Sequence, residues 1–207
     1  MARSPVYPIS TPNGLLAALP ADVLAQLLPK FSRVSLANRQ VLYTPEQPID
    51  AVFFVEAGMA SMVAQLADGQ QAEVGIIGKE GMIGLPLIFG IETSFIECLM
   101  QLAGTALRMS AVAFRHELAA SDPLRARLFR YAEAQHAQIS QTAACNGRHD
   151  LEQRLARWLL MAHDRAEDDE LPLTQDFMAR SEERFSRNAE TDDTISYAVF
   201  CLKKKFF

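Results

Sequence analysis

Three hydrophobic periods divide the chain. Between residues 14 and 29, Leu15, Leu16, Leu19, Val23, Leu24, Leu27 and Leu28 recur at helical spacing, interrupted by Pro20 and closed by Pro29. That pattern predicts one or two short helices, with Asp22 near a helix start. From residue 31 to 110 the period shortens. Runs rich in Val, Ile, Phe and Met at 33–36, 40–43, 51–56, 59–66, 71–77, 97–102 and 105–109 are separated by turn residues, the spacing of a β-sandwich or barrel. Asp68-Gly69, between 59–66 and 71–77, predicts a tight type I′ hairpin, whose two central residues need positive φ. After residue 111 the helical period returns, first in a short piece around Phe114 and Leu118 that stops at Asp122-Pro123, where proline suits the opening of the next helix.

That next helix is the longest expected element. Leu124, Leu128, Ala132, Ile139 and Ala143 follow one another in steps of four, four, seven and four, which sets them on a single stripe. The alanines at 132, 134, 137, 143 and 144 keep the surface low enough for close approach of a second helix. Helix statistics alone allow a core helix of a monomer as well as a seam between two copies. The helix is expected to end at Asn146-Gly147, with the glycine as a left-handed cap. A second helix follows, with Leu151, Leu155, Trp158, Leu159 and Ala162 inward and Glu152, Arg154 and Arg157 outward. An acidic connector over 167–170 leads through Leu171-Pro172-Leu173-Thr174 into a third helix, with Thr174 as N-cap and Asp176 near the positive end of its dipole. Residues 1–13, carrying Pro5, Pro8 and Pro12, read as an extended arm.

Composition narrows the function. The 207 residues, 49% of them hydrophobic, suffice for one large domain or two small ones. No apolar run approaches the ~20 residues that span a bilayer, and the opening MARSPVYPIS lacks the apolar core of a secretory signal. A cytoplasmic protein with no membrane partner is expected. Cys98, Cys145 and Cys201 are dispersed and odd in number, and every histidine falls at or after His116, so neither a disulfide framework nor a metal or cofactor site is expected. His136, His149 and His163 have no ligand-spaced partners, and Cys145 reads as a small buried hydrophobe in preference to a redox switch. No phosphate-binding Walker loop, Gly-x-Ser-x-Gly elbow or His-Glu-x-x-His occurs, so the chain reads as a non-enzyme. A net charge of −5 excludes broad basic affinity for nucleic acid and confines any DNA contact to a local patch. Seven of the ten glycines lie from Gly69 to Gly104, which fits either a pocket wall or tight corners in a β-roll.

The sequence of parts, together with Val52-Phe53-Phe54-Val55-Glu56-Ala57-Gly58, Gly78-Lys79-Glu80-Gly81-Met82-Ile83-Gly84, Leu151-Glu152-Gln153-Arg154-Leu155-Ala156-Arg157-Trp158-Leu159-Leu160 and the segment 171–179, resembles the Crp/Fnr superfamily of bacterial transcription regulators over roughly residues 15–179. The resemblance implies an α+β chain. After the arm, 14–121 would be a cyclic-nucleotide-binding-like sensor domain, a jelly roll or double-stranded β-helix. Residues 122–146 would be a dimerisation helix and 147–207 a C-terminal helical, winged-helix-like domain. It also implies a homodimer paired through Leu124, Leu128, Ala132, Ile139 and Ala143, and an effector pocket, for a small molecule or protein, around Gly81, Gly84, Leu85, Pro86 and Ser94.

Two departures from the family pattern change the expectation. Members that bind cyclic nucleotide carry a Gly-Glu pair and a following arginine, whereas here Gly84 precedes Leu85-Pro86 and no Lys, Arg or His occurs between Lys79 and Arg108. A phosphodiester there would lose water and gain no cation. Beyond Ala179, the chain has no glycine for the turns of a helix-turn-helix and wing, so the DNA-reading unit is expected to be incomplete. Arg180, Arg184 and Arg187, with Thr174 and Gln175, form the candidate phosphate-contacting set, opposed by Glu182, Glu183, Glu190, Asp192 and Asp193. Two functions follow as expectations: a dimeric DNA-binding regulator, or a dimeric sensor module without DNA binding that titrates full-length relatives.

Overall fold

The computed structural model describes residues 11–66 and 71–165. The first leucine repeat forms α1 (Gly14–Ala17) and α2 (Ala21–Leu27), the latter running into a 3-10 turn over Leu28–Lys30. Strands β1 (Ser32–Leu36), β2 (Val41–Tyr43), β3 (Ala51–Gln65), β4 (Gln71–Ile77), β5 (Met82–Ile83) and β6 (Ile96–Ser110) follow. All pairs are antiparallel. The main path is β1-β6-β3-β4, with β2 on β6 and β5 on β3. This is the expected α+β fold, a jelly-roll-like β-domain followed by helices. Gln65 pairs with Gln71 across β3 and β4, while Asp68-Gly69 of the expected hairpin turn lies outside the described residues.

Four expected strands are two. The runs 51–56 and 59–66 belong to the continuous β3, and 97–102 and 105–109 to the continuous β6. Between each pair of runs the register shifts, at Val55/Ala57 and at Ala57/Met59, instead of the strand ending. Gly58 takes φ +83 there, and a Cβ on the facing Gly104 would lie 1.9 Å from the carbonyl oxygen of Ala57. A glycine bulge of this kind bends a ladder without terminating it. In sequence it looks like a turn.

The core lies between the sheet and the helices, with Phe54 edge-on to Phe31 at 5.4 Å and tilted against Phe114 at 6.5 Å. Asn13 ties the N-terminal edge to it. Its Oδ1 accepts from the N–H groups of Leu15 and Leu16, and its Nδ2 donates to the carbonyls of Val55 and Gly81, each at 2.8 Å. The end of the expected arm is therefore a fully buried helix cap bound to β3. Nearby, Thr11 donates to Glu56, which also receives two hydrogen bonds from Arg33.

Helix α3 (Ala111–Ala120) leads through the Ser121 N-cap into α4 (Asp122–Arg148), whose N-terminal half packs onto the β-domain. Leu124, Leu128 and Ala132 are 2%, 0% and 9% exposed within this single chain. Ile139 is half-buried over Gly75, and Ala143 is exposed. The stripe expected at a seam between copies thus divides, its first three members being covered by the chain's own core. The helix also passes through Gly147, which does not take positive φ. The helix ends instead at an extended His149, whose N–H donates to the carbonyl of Cys145. Asp150 then caps α5 (Leu151–His163) by accepting from the N–H of Gln153. With a new N-cap directly after an extended residue, the chain reverses without a left-handed glycine. The third helix expected after residue 171 lies outside the described residues, as do residues 1–10.

Gly104→Ala should lower stability by roughly 3 kcal/mol, because the added methyl meets fixed backbone. A Cβ at Gly147 meets nothing within 4 Å, so Gly147→Ala should be neutral or stabilising by up to about 1 kcal/mol. Urea unfolding of the two variants against the parent checks both.

Candidate functional site: the β-domain interior and the dock of helix α5

The glycine-rich segment is built around three special backbone positions. Gly81 donates to the carbonyl of Gly78, and a Cβ on it would sit 2.3 Å from the Tyr131 hydroxyl oxygen of α4. Gly84, at φ +96, opens the 3-10 turn over Leu85–Phe89, and Gly90, at φ +76, closes it. Leu85 and Pro86 are half-buried, and Leu85 packs on the core. Four of the five expected pocket residues are thus brought together in one continuous segment. Ser94 stands apart from them. Its hydroxyl accepts from the N–H of Ile96, its carbonyl accepts from Glu46, and it shares a hydrogen bond with the Tyr43 hydroxyl.

Met62, Ile83, Leu87, Cys98 and Met100 fill the interior of the β-domain. The titratable groups among them are held neutral. Burial pushes the Cys98 thiol up to about 12, and burial also raises the Tyr43 and Tyr131 hydroxyls well above the ordinary tyrosine value. A thiol so raised holds almost no thiolate at neutral pH and is not a nucleophile. Met62, Ile83, Leu87, Cys98 and Met100 carry no charged group, so the space they line suits apolar or uncharged polar groups.

A second constellation was not expected from sequence. Glu73 of β4 is buried, and its carboxylate accepts from the Ser61 hydroxyl of β3 at 2.5 Å and from the Trp158 indole N–H of α5 at 2.7 Å. Around it Met59, Ile76, Leu102, Trp158 and Ala162 form a separate apolar cluster. The hydrogen bond from Trp158 to Glu73, set in an apolar contact, therefore helps to dock helix α5 on the β-domain. Its expected inward residues Leu155, Trp158 and Ala162 are buried as read, while Arg154 and Arg157, expected on the wet face, are half-buried. The available signal was Glu73 itself, an acidic residue inside the expected strand run 71–77. Thr174, Gln175, Arg180, Arg184 and Arg187 lie outside the described residues.

Residues 33–121 match the family profile of the cyclic nucleotide-binding domain. No curated protein sequence matches the chain. Among solved structures it is similar to FixK2 from Bradyrhizobium japonicum, at a TM-score of 0.67 and 15% identity, over 84% of this chain and 85% of that one. The regulator CLP of Xanthomonas campestris gives 0.64 and 15%, over 90% and 93%. A putative regulator of the Crp/Fnr family from Eubacterium rectale gives 0.64 and 11%, over 90% and 85%. The fold is therefore that of a cyclic nucleotide-binding domain continued by helices, as in these regulators.

Trp158→Phe keeps an aromatic ring but removes the indole N–H and part of the packed ring system, a loss of at least about 1.5–3 kcal/mol for a bond to a charged group. Amide exchange across α5 should accelerate at least about tenfold while that of β6 stays unchanged. Unchanged exchange in α5 would show that the hydrogen bond does not hold the helix.

Proposed function

We propose that this chain is a dimeric, non-enzymatic transcription regulator of the Crp/Fnr type, responding through its β-domain to an effector other than a cyclic nucleotide. The observation that carries this reading is α4. It extends 27 residues, and beyond the residues that cover the β-domain it leaves Ala126, Glu133, Ala137, Ser140, Ala144 and Gly147 exposed in steps of seven, four, three, four and three. That spacing is a helix-pairing seam, and its small residues allow close approach. Phe129, 45% exposed and stacked at 6.2 Å on the 58% exposed Phe89, adds an apolar patch beside it. Ala143 flanks this seam, and Leu124, Leu128 and Ala132 have no part in it.

The absence of any Lys, Arg or His between Lys79 and Arg108, and the neutral packed interior, support an effector without a phosphodiester in the β-domain. Gly81, which lies under Tyr131 of α4, and the following Gly84, Leu85 and Pro86 form the segment through which such an effector would move α4. DNA contact is assigned to Thr174, Gln175, Arg180, Arg184 and Arg187. The second reading, a sensor module that pairs with full-length relatives without binding DNA, is favoured by the acidic residues Glu182, Glu183, Glu190, Asp192 and Asp193 beside those arginines.

Gel retardation on promoter DNA across a salt series, with sedimentation in parallel, tests the proposal. A regulator gives a dimer and sequence-selective retardation that weakens steeply with salt. Ala137→Glu, which places a charge in the seam, should weaken pairing roughly a hundredfold and abolish retardation. A stable dimer without retardation selects the second reading, and a monomer overturns both.

A further inference from the structure

A cavity of about 360 Å³ opens between the start of α1, the loop joining β4 to β5, the middle of α4 and Arg165 just past α5. It includes none of Gly81, Gly84, Leu85, Pro86 or Ser94. Arg127, Arg130 and Arg165 line it with one carboxylate, Glu80. Glu80 is engaged, since Arg165 donates to its Oε1 from Nε at 2.8 Å and from Nη2 at 2.6 Å. Among the described residues lining the cavity, that pair leaves the guanidiniums of Arg127 and Arg130 without a carboxylate. Arg127 Nη2 reaches the carbonyl of Gly14 at 3.3 Å, but its buried Nε has no hydrogen-bond partner among the described residues. Arg130, three residues on and so beside it on the helix, is exposed.

The same cavity is lined by Gln135, which is 4% exposed. Its Nε2 contacts Met62 Sδ at 2.9 Å, and its buried Oε1 has no partner among the described residues. A buried donor on a cation and a buried acceptor are costly in a folded chain unless water or a ligand completes them, and both line this cavity. Two positive charges suit a dianionic phosphate, and the volume is that of a site for a ligand larger than a bare ion.

We propose that this cavity binds a small phosphate monoester, its phosphate held by Arg127 and Arg130 and a hydroxyl or amino group of its body donating to Gln135 Oε1. The proposal rests on the cavity and is independent of DNA binding. It carries a structural consequence. Arg165 is tied to Glu80, and with Gln138 turned so that its nitrogen donates to the carbonyl of Ile76, the Gln138 oxygen accepts from Arg165 Nη2 at 3.2 Å. An anion that draws Arg165 from Glu80 therefore changes how the chain leaving α5 is held.

Nitrogen-15 spectra of the full chain, recorded at constant ionic strength, test this with inorganic phosphate and glucose 6-phosphate as probes and glucose as control. The expected result is a saturable shift of the Arg127 Nε–Hε resonance with both phosphates and none with glucose, the sugar phosphate binding more tightly. Arg130→Gln, at an exposed position that should leave the fold intact, is expected to weaken both phosphates at least about tenfold. Gln135→Met should keep the affinity for inorganic phosphate and remove the advantage of the sugar phosphate. The proposal is overturned by the absence of saturable shifts at about 20 mM phosphate or by equal affinity in Arg130→Gln. Equal affinity for the two phosphates in the parent chain overturns the assignment of Gln135.

Discussion

The packing of Leu124, Leu128 and Ala132 against the β-domain sets the position of everything downstream in this molecule. Once those three side chains are inside, the rotation of α4 about its axis is fixed by its 3.6-residue period. Tyr131 is then aimed at Gly81, Gln135 at Met62 and Ile139 at Gly75, while Ala137, Ser140 and Ala144 face away. One buried stripe thus decides which face remains for a partner and which faces the cavity. Because interiors are close-packed, the helix cannot turn to offer the partner a different face without emptying the core beneath it.

The same constraint separates two chemical environments. Inside the β-domain, burial keeps Tyr43, Tyr131 and Cys98 protonated. On the flank of α4, Arg127 and Arg130 stand beside Gln135, and the buried Arg127 Nε donor and Gln135 Oε1 acceptor have no partner among the described residues. Tyr131 lines the second environment and covers Gly81 of the first. The two sites consequently share a helix. Helix α5, held through Trp158 and Glu73, starts from the far end of that helix and returns to the β-domain, so a shift of α4 is felt at both ends of α5.

The element order, the β-domain and the helical extension were legible in the sequence because each follows from a local period. What was not legible depended on distance in the chain. Gly58 and Gly104 read as turns because a bulge and a turn use the same residue, and only their pairing across β3 and β6 tells them apart. The stripe from Leu124 to Ala143 was visible, but its division between the chain's own core and the solvent was not, since periodicity reports a face and not what covers it. Gly147 looked like a helix end for its residue type, although the ending is made by His149 and Asp150. The contact of Glu73 with Trp158 spans 85 positions, and the cavity draws residues from α1, β4, α4 and the end of α5. No window of sequence holds either.

The central claim is that two copies pair through the exposed face of α4 and not through the stripe buried on the β-domain. Cysteines placed singly at 126, 133, 137, 140 and 144, and at the off-seam positions 125 and 141, in a chain carrying Cys201→Ser, test it through mild oxidation, since Cys98 and Cys145 are buried. The account predicts disulfide-linked dimers that recur with heptad spacing at the first set and are absent from the second. Equal cross-linking around the helix, or none at 137, 140 and 144 in a chain that sediments as a dimer, would contradict it.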